Sequence, residues 1–247
     1  MGRVRPSRTD PQAAAVVDAV ARVSRIVWGT RVLDLNCGAG RYARLLAQRT
    51  GAEIVGLDRS LADPPPASGR SRARVRWVLG GCEALPFAPG AFAACTMILV
   101  VQDLPDLDRV LREVYRVLAP NGGRLTILTM SQGQVARLPV HLFPGAFALD
   151  RPRWPALPAL KTRVRLAGFQ QVRHHLCTVG AEAVPAERFL RWARTRPLPA
   201  YRAMDEETFR ERMVKFRDRL MARFPDRVVR WRREHAIVTG IKMRGRD

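Results

Sequence analysis

Two aspartates and two glycines carry most of the chemistry that can be read from this 247-residue chain. The stretch Val32–Tyr42 (VLDLNCGAGRY) sets Asp34 in an apolar run, Gly38 and Gly40 in a turn, and Tyr42 at the start of a helical segment. A strand, glycine turn and helix in that order aim free backbone N–H groups and a positive helix end at whatever fills the crevice. Dinucleotide sites put G-x-G-x-x-G there, with an acid roughly 20 positions on. Counted from Gly38, the third position here is Ala43, so that fingerprint alone does not discriminate. Asp34 does. A carboxylate just before the turn repels a pyrophosphate and suits a ligand with an ammonium group. Asp58, at the end of the next apolar run, suits hydrogen bonds from two ribose hydroxyls. An adenosine with a positively charged amino-acid tail satisfies both carboxylates.

Further along, Asp103 comes after a buried-strand pattern, where it could take a proton from a hydroxyl or pair with a cationic substrate. The alternative is a plain loop carboxylate, with Asp106 the better cap for the next helix. His141 lies in a proline-rich stretch after the fifth strand. His174 and His175 are adjacent in a strand and so point to opposite faces. His175 with Cys177 makes two ligands on one face, short of what zinc needs, so no metal site is expected. Phe189, Trp192 and Tyr201 either line an acceptor pocket or pack helices together.

The elements that must position these residues alternate. Helical spacing covers 11–27 after a cap at Thr9 or Asp10, and Val32–Asn36 reads as a strand. Next come a helix at Arg41–Arg49 and strands at Ile54–Asp58 and Val75–Leu79, with a breaker-rich loop from Pro64 to Gly69. Cys95–Val101 (CTMILVV) has the continuous apolar pattern of a strand buried on both faces. An amphipathic helix at Leu107–Leu118 leads to a strand at Arg124–Thr129. Such alternation predicts a parallel sheet with right-handed crossovers. The second half reads as an irregular cover over 133–160, a short helix at Leu160–Ala167 and strands at Gln170–Cys177 and His235–Met243. Between those strands, Pro185–Arg196 and Asp205–Phe224 read as helices. In the longer one Phe209, Met213, Phe216, Leu220 and Phe224 recur on one face, the pattern of a core stripe.

Bulk composition narrows the setting. Hydrophobic residues make up 47% of the chain, enough for a substantial core. The uncharged run Ala84–Gln102 contains Pro86, Pro89 and Gly90, so a turn and buried strand fit it better than a membrane span. The basic N-terminus lacks an apolar signal region and the four cysteines have no C-x-x-C spacing; a cytoplasmic protein with reduced thiols is expected. Net charge is +21, and 40 of the 43 basic residues are arginine, a skew that reads more easily as coding bias than as selection for phosphate. Residues 151–247 carry 24 basic against 10 acidic residues, so anionic partners would be steered toward that half. Nucleic acid is one such partner, but no basic run interleaved with aromatics marks a strand-tracking groove.

Three blocks in order resemble the class I S-adenosylmethionine-dependent methyltransferases, in particular the broad family of small bacterial enzymes. VLDLNCGAGRYARLLA resembles their first motif, EIVGLDRS the second, and CEALPFAPGAFAACTMILVVQDLPDLDRVLREVYRVLAPNGGRL the adenine-side loop, fourth strand, helix and turn before the fifth strand. The likeness covers about residues 10–180. LFPGAFALDRPRWPAL, AGFQQV and the helical insertion resemble a subset acting on small molecules. The resemblance implies an α/β, Rossmann-like sheet of seven mostly parallel strands with the last antiparallel, plus a helical insertion. One methyltransferase domain, 1–247, would comprise a cofactor-binding core (1–132), an irregular cover (133–160) and the insertion (181–232). It implies S-adenosylmethionine held by Asp34, Asn36, Gly38, Gly40, Tyr42, Asp58, Arg59, Cys82, Glu83, Val100 and Gln102, with Asp103 and His141 on the acceptor side. The implied reaction is O-, N- or C-methylation of a small organic acceptor, an anionic one included, by a monomer or homodimer without membrane contact. An RNA- or tRNA-modifying enzyme using the basic half, and a methyltransferase-like protein that does not methylate, are the alternatives. Four positions depart from the pattern: Asn36 replaces a first glycine, Gly81 an adenine-binding acid, Ala93 a frequent Asp and Asp103 a histidine. Asn tolerates left-handed backbone angles better than most residues, so the turn is expected to survive.

Overall fold

The computed structural model describes residues 11–60 and 75–243; the expected loop at Pro64–Gly69 and the cap at Thr9 or Asp10 lie outside them. In chain order the helices and strands are α1 (Pro11–Ser24), β1 (Arg31–Leu35), α2 (Arg41–Thr50), β2 (Glu53–Asp58), β3 (Val75–Leu79), β4 (Ala94–Ile98), α3 (Leu107–Val117) and β5 (Gly123–Thr129). Then come α4 (Gln132–Val135), α5 (Ala146–Asp150), α6 (Leu157–Leu166), β6 (Gln170–Pro185), α7 (Ala186–Arg194), α8 (Pro199–Arg202), α9 (Glu206–Arg223) and β7 (Val228–Lys242). The strands form one seven-stranded sheet in the order β3-β2-β1-β4-β5-β7-β6. Pairs β1/β2, β2/β3, β1/β4 and β4/β5 are parallel, and β5/β7 is antiparallel. The chain divides into two compact units: the described residues of 1–129, 160–177 and 236–247, and residues 130–159 with 178–235.

In the first unit the strand and helix patterns produce the core directly. All five residues of β4 are buried, as are four of five in β1 and five of six in β2. Along α3, Leu107, Val110, Leu111, Val114 and Val117 are buried at helical spacing. The Asp106 carboxylate accepts the Arg109 N–H at 3.0 Å and starts this helix, the role expected of it. At the other end Lys242 Nζ donates to the carbonyls of Tyr115 at 2.6 Å and Leu118 at 2.8 Å, closing two of the orphan acceptors of the helix terminus.

Several boundaries differ from those expected. The apolar run expected as a strand through Val101 leaves the sheet after Ile98, because Leu99 turns left-handed (φ +58°) and a 3-10 turn occupies Val101–Asp103. The first helix ends at Ser24, before a left-handed Arg25 (φ +54°). The cover is not irregular throughout: α4, α5 and two 3-10 turns at Pro139–Leu142 and Arg151–Arg153 lie within it. The last two strands are far longer than their apolar segments suggested, because edge pairing carries β6 and β7 through charged, half-exposed residues. No helix among the described residues is long and apolar enough to cross a membrane.

The second unit has its own core. Phe143 lies at its centre, with ring centroids 4.5 Å from Tyr201 and 5.5 Å from both Phe209 and Phe216. The stripe on α9 is core, as its spacing predicted: Phe209, Met213, Phe216 and Leu220 are all buried. Tyr201 is fully buried and donates its hydroxyl to the Val140 carbonyl at 2.8 Å, so it packs the core; Phe189, also buried, and the exposed Trp192 line a cavity within the same unit.

One contact in the first unit governs the glycine turn. The Trp77 ring of β3 lies across Gly40 and Gly56, and a Cβ on Gly40 would overlap it. The Arg44 guanidinium sits 5.9 Å from the same ring. Gly38, also left-handed (φ +53°), faces open space. The two glycines therefore answer different demands. Gly38→Ala is expected to lose about 1–2 kcal/mol from its left-handed backbone, and Gly40→Ala about 1–3 kcal/mol more from the forced overlap. Urea unfolding of both variants measures the difference.

Candidate functional site

The site is built at the carboxyl ends of β1, β2 and β4. Three left-handed residues, Asn36 (φ +54°), Gly38 (φ +53°) and Gly40 (φ +69°), swing the chain from β1 into α2. Asn36 thus adopts the geometry that its replacement of a glycine requires. The turn is tied at Cys37, whose N–H donates to the Leu57 carbonyl at 3.1 Å, and at Gly40, whose N–H donates to the Cys37 carbonyl at 2.9 Å. Asp58 completes it. Its Oδ2 accepts the Gly38 N–H at 2.7 Å and its Oδ1 accepts the Ser60 N–H at 2.9 Å. Each carboxylate oxygen retains a lone pair beyond those bonds. Tyr42 stands in the first turn of α2.

Asp34 sits one layer deeper, only 2% exposed, paired in register with Gly56 and Thr96. The Thr96 hydroxyl donates to its Oδ1 at 2.8 Å. Burial pushes the Asp34 carboxyl from its ordinary 3.8 up to about 7, and the Thr96 bond offsets only part of that. No cation among the described residues contributes to holding its charge. Burial also raises the thiols of Cys37 to about 12 and Cys82 to about 11, and Cys95 well above its usual range. These three sulfurs stay protonated at neutral pH and are not nucleophiles.

The loops after β3 and β4 frame the same end of the sheet. Arg59, just past β2, pairs with Glu83 at 2.5 Å. That bond holds the Glu83 carboxyl below its usual range. A Cβ on Gly81 would stand 3.2 Å from Glu83 Oε2 and 3.4 Å from Arg59 Nε, so the Arg59–Glu83 pair fills the space beside the position where the resemblance implied an acid. Cys82 is buried and receives the backbone N–H of Asn36. Past β4, Val100 is buried, and the Gln102 amide donates to the Leu99 carbonyl at 2.5 Å and to Asp103 at 3.0 Å. Gln102 Oε1 is buried with no partner among the described residues, and can accept a hydrogen bond from a donor brought to it.

The two acceptor-side candidates part company. Asp103, in the first unit, is exposed at the end of its 3-10 turn and is not a helix cap. His141 belongs to the second unit, and its side chain is 2% exposed. Its Nδ1 donates to the Val135 carbonyl at 2.6 Å, and its Nε2 meets Asp150 Oδ2 at 3.3 Å. Trp154 Nε1 donates to the same Asp150 oxygen at 3.1 Å. With both ring nitrogens engaged, His141 ties the cover segment together.

Thr96, Trp77, Leu99 and Ser60 also shape the site, and residue type and spacing did not single them out. Thr96 left one trace, as the polar residue in the apolar run CTMILVV. Nothing marked Trp77 as the partner of two glycines, because that contact joins strands distant in sequence.

The buried Asp34 has a measurable consequence. The folded protein keeps a proton there that the unfolded chain loses above about pH 4. Stability from this group is therefore greatest below pH 4 and falls as pH rises toward 7. Asp34→Asn is expected to flatten that slope and to stabilise the ligand-free protein at pH 8 by about 1–3 kcal/mol, read from urea unfolding at pH 5 and 8.

Comparison with known proteins agrees with this geometry. A family model described as a methyltransferase domain matches residues 32–122. The chain is 33% identical over 181 residues to a 2-phytyl-1,4-naphtoquinone methyltransferase of Thermosynechococcus vestitus, covering 63% of this chain and 79% of that protein. It is 37% identical over 180 residues to a demethylmenaquinone methyltransferase of Thermus thermophilus, covering 62% and 80%. A crystal structure from Anabaena variabilis, described as a putative methyltransferase from an antibiotic biosynthesis pathway, shares the fold. It superposes with a TM-score of 0.65 at 14% identity, over 93% of this chain and 99% of that one. With the glycine turn and its two aspartates set at the ends of β1 and β2, the chain belongs to the class I S-adenosylmethionine-dependent methyltransferases.

Proposed function

We propose that this methyltransferase moves a methyl group from S-adenosylmethionine to a small organic acceptor, and that the residues around the glycine turn hold the cofactor. The observation that carries the assignment is Asp34, a buried carboxylate with its pKa raised to about 7 and no cation holding its charge. A positively charged ligand relieves that cost. The neighbouring groups fit the same molecule: Gly38 opens to free space, Asp58 keeps lone pairs for ribose hydroxyls, and Gln102 Oε1 lacks a donor. The Arg59–Glu83 pair and Cys82 border the adenine in this reading, with Asn36, Gly40, Tyr42 and Val100 shaping the pocket walls.

When bound, the cofactor supplies a methyl carbon on a positively charged sulfur, a group already activated for displacement. The chain's work is then positioning and exclusion of water. Asp34 and Asp58 fix the two ends of the cofactor. The Leu99 carbonyl and the Gln102 amide hold the turn beyond β4, and Gln102 in turn orients Asp103. The exposed Asp103 carboxylate accepts the proton that an acceptor hydroxyl gives up near the transition state. His141 serves the fold of the second unit. The relatives' names specify a phytyl naphthoquinone and demethylmenaquinone, which supports a small cyclic acceptor for this chain as well.

Calorimetric titration with S-adenosylmethionine is expected to give saturable binding that weakens as pH drops from about 8 to 6, because Asp34 gains its proton. Asp58→Ala is expected to weaken binding about tenfold or more, while Asn36→Gly binds at least as tightly as the wild type. Asp103→Asn is expected to lower kcat about 10²-fold or more with cofactor affinity unchanged. Labelled-methyl transfer to a panel of quinols and phenols, run beside bulk tRNA, tests the acceptor class. Label in tRNA alone, or no cofactor binding at millimolar concentration, overturns the reading.

A further inference from the structure

The second unit contains a cavity of about 440 Å³ whose lining includes none of the residues assigned above to the cofactor or the acceptor. Its volume is in the range of small-molecule sites, about 300–1,000 Å³. One wall is the part of β7 where Arg230, Arg232 and Glu234 alternate onto a common face. Arg223 and Phe224 at the end of α9 and Gln134 of α4 form others, with Phe224 the aromatic residue. Most of the charges are matched: Glu234 pairs with Arg137 at 2.9 Å and Arg230 with Asp226 at 2.5 Å. Arg232 is exposed and makes no ion pair among the described residues. The wall is therefore left with uncompensated positive charge.

Gln134 gives a second, independent indication. It is 4% exposed, and its Oε1 accepts the Ser131 N–H at 2.8 Å in a capping box. That bond fixes which way the amide faces. Nε2 then carries two hydrogens and is buried without any acceptor among the described residues. An unpaired buried donor is costly, and the group that would satisfy it is an acceptor oxygen. A guanidinium with no partner makes the same demand and prefers an oxyanion. The aromatic ring of Phe224 adds a preference for a flat, apolar body.

We propose that this cavity is a binding site for a small aromatic oxyanion, a carboxylate or phosphate ester on a ring, held by Arg232 and the Gln134 amide beside Phe224. Calorimetry on the full chain with phenyl phosphate, benzoate, inorganic phosphate and neutral benzamide tests it. Phenyl phosphate, benzoate or both are expected to bind saturably at millimolar concentration or tighter, and the two arms distinguish phosphate from carboxylate. Benzamide is expected not to bind, and inorganic phosphate to bind about tenfold more weakly than the better aromatic. Arg232→Gln changes an exposed residue. Gln134→Glu keeps the acceptor toward Ser131 and replaces the donor with negative charge. Each is expected to weaken the aromatic oxyanion about tenfold or more while leaving S-adenosylmethionine titration unchanged. The proposal fails if neither aromatic oxyanion saturates, if both variants bind as the wild type does, or if inorganic phosphate binds as tightly as the ring compounds.

Discussion

The hydrogen bond from the Gly38 amide to Asp58, 2.7 Å long, is the joint on which the rest of the site depends. It fastens the turn after β1 to the end of β2, so that two strands and the start of α2 share one fixed edge. With the backbone bonds from Cys37 to Leu57 and from Gly40 to Cys37, it holds three left-handed residues in a row of five in a single geometry. The same carboxylate also accepts the Ser60 N–H, which orients both oxygens before any ligand arrives. Trp77 seals the turn from the sheet side, where only glycine at 40 and 56 leaves room for its ring. The side toward Gly38 stays open. Rigidity on one face and open space on the other is what a preorganised binding turn requires.

The site carries costs that a purely structural region would avoid. Asp34 is a carboxylate buried with a hydroxyl for company and no cation. Leu99 holds a left-handed backbone that a γ-branched residue rarely adopts, and Gln102 leaves a carbonyl oxygen buried and unmatched just beyond it. All three lie at the carboxyl ends of neighbouring central strands, where parallel sheets place their ligands. Local rules are broken at the place where function would justify breaking them.

The arginine surplus acts differently in different places. On exposed faces it forms pairs such as Arg49–Asp18 and Arg163–Asp108 that contribute little to stability. In the second unit some arginines join the ring cluster around Phe143: Arg196 lies 4.1 Å over Phe209 and donates to the Met204 carbonyl at 3.0 Å, and Arg212 donates to the Pro144 carbonyl at 3.2 Å. Along β7, Arg230 and Arg232 share a face with Glu234, and because Arg230 is taken by Asp226 and Glu234 by Arg137, Arg232 is left there without an ion pair among the described residues. A composition bias thereby becomes a local electrostatic feature.

What the sequence determined by itself was everything with a short physical range. Strand and helix periodicity located the elements of the first unit to within a few residues, and the spacing of Asp34, the glycines and Asp58 identified the turn and its kind of ligand. The Asp106 cap and the apolar stripe on α9 were legible for the same reason, because each rests on neighbours within a few helical turns. Tertiary structure decided the rest. That Gly40 leaves room for Trp77, on a strand distant in sequence, shows only in the fold. β6 and β7 extend through polar residues because edge pairing, not side-chain pattern, sets their length. His141 was placed on the acceptor side by its position in a proline-rich stretch; only the fold shows that a carbonyl and a carboxylate meet both its nitrogens. The charge on Asp34 was implied by its place before the turn; that it sits buried without a cation, and so favours one, is decided only by the packing of β4 against β1. Pattern records what a residue does with its neighbours in the chain, and burial records what it does with neighbours the fold brings.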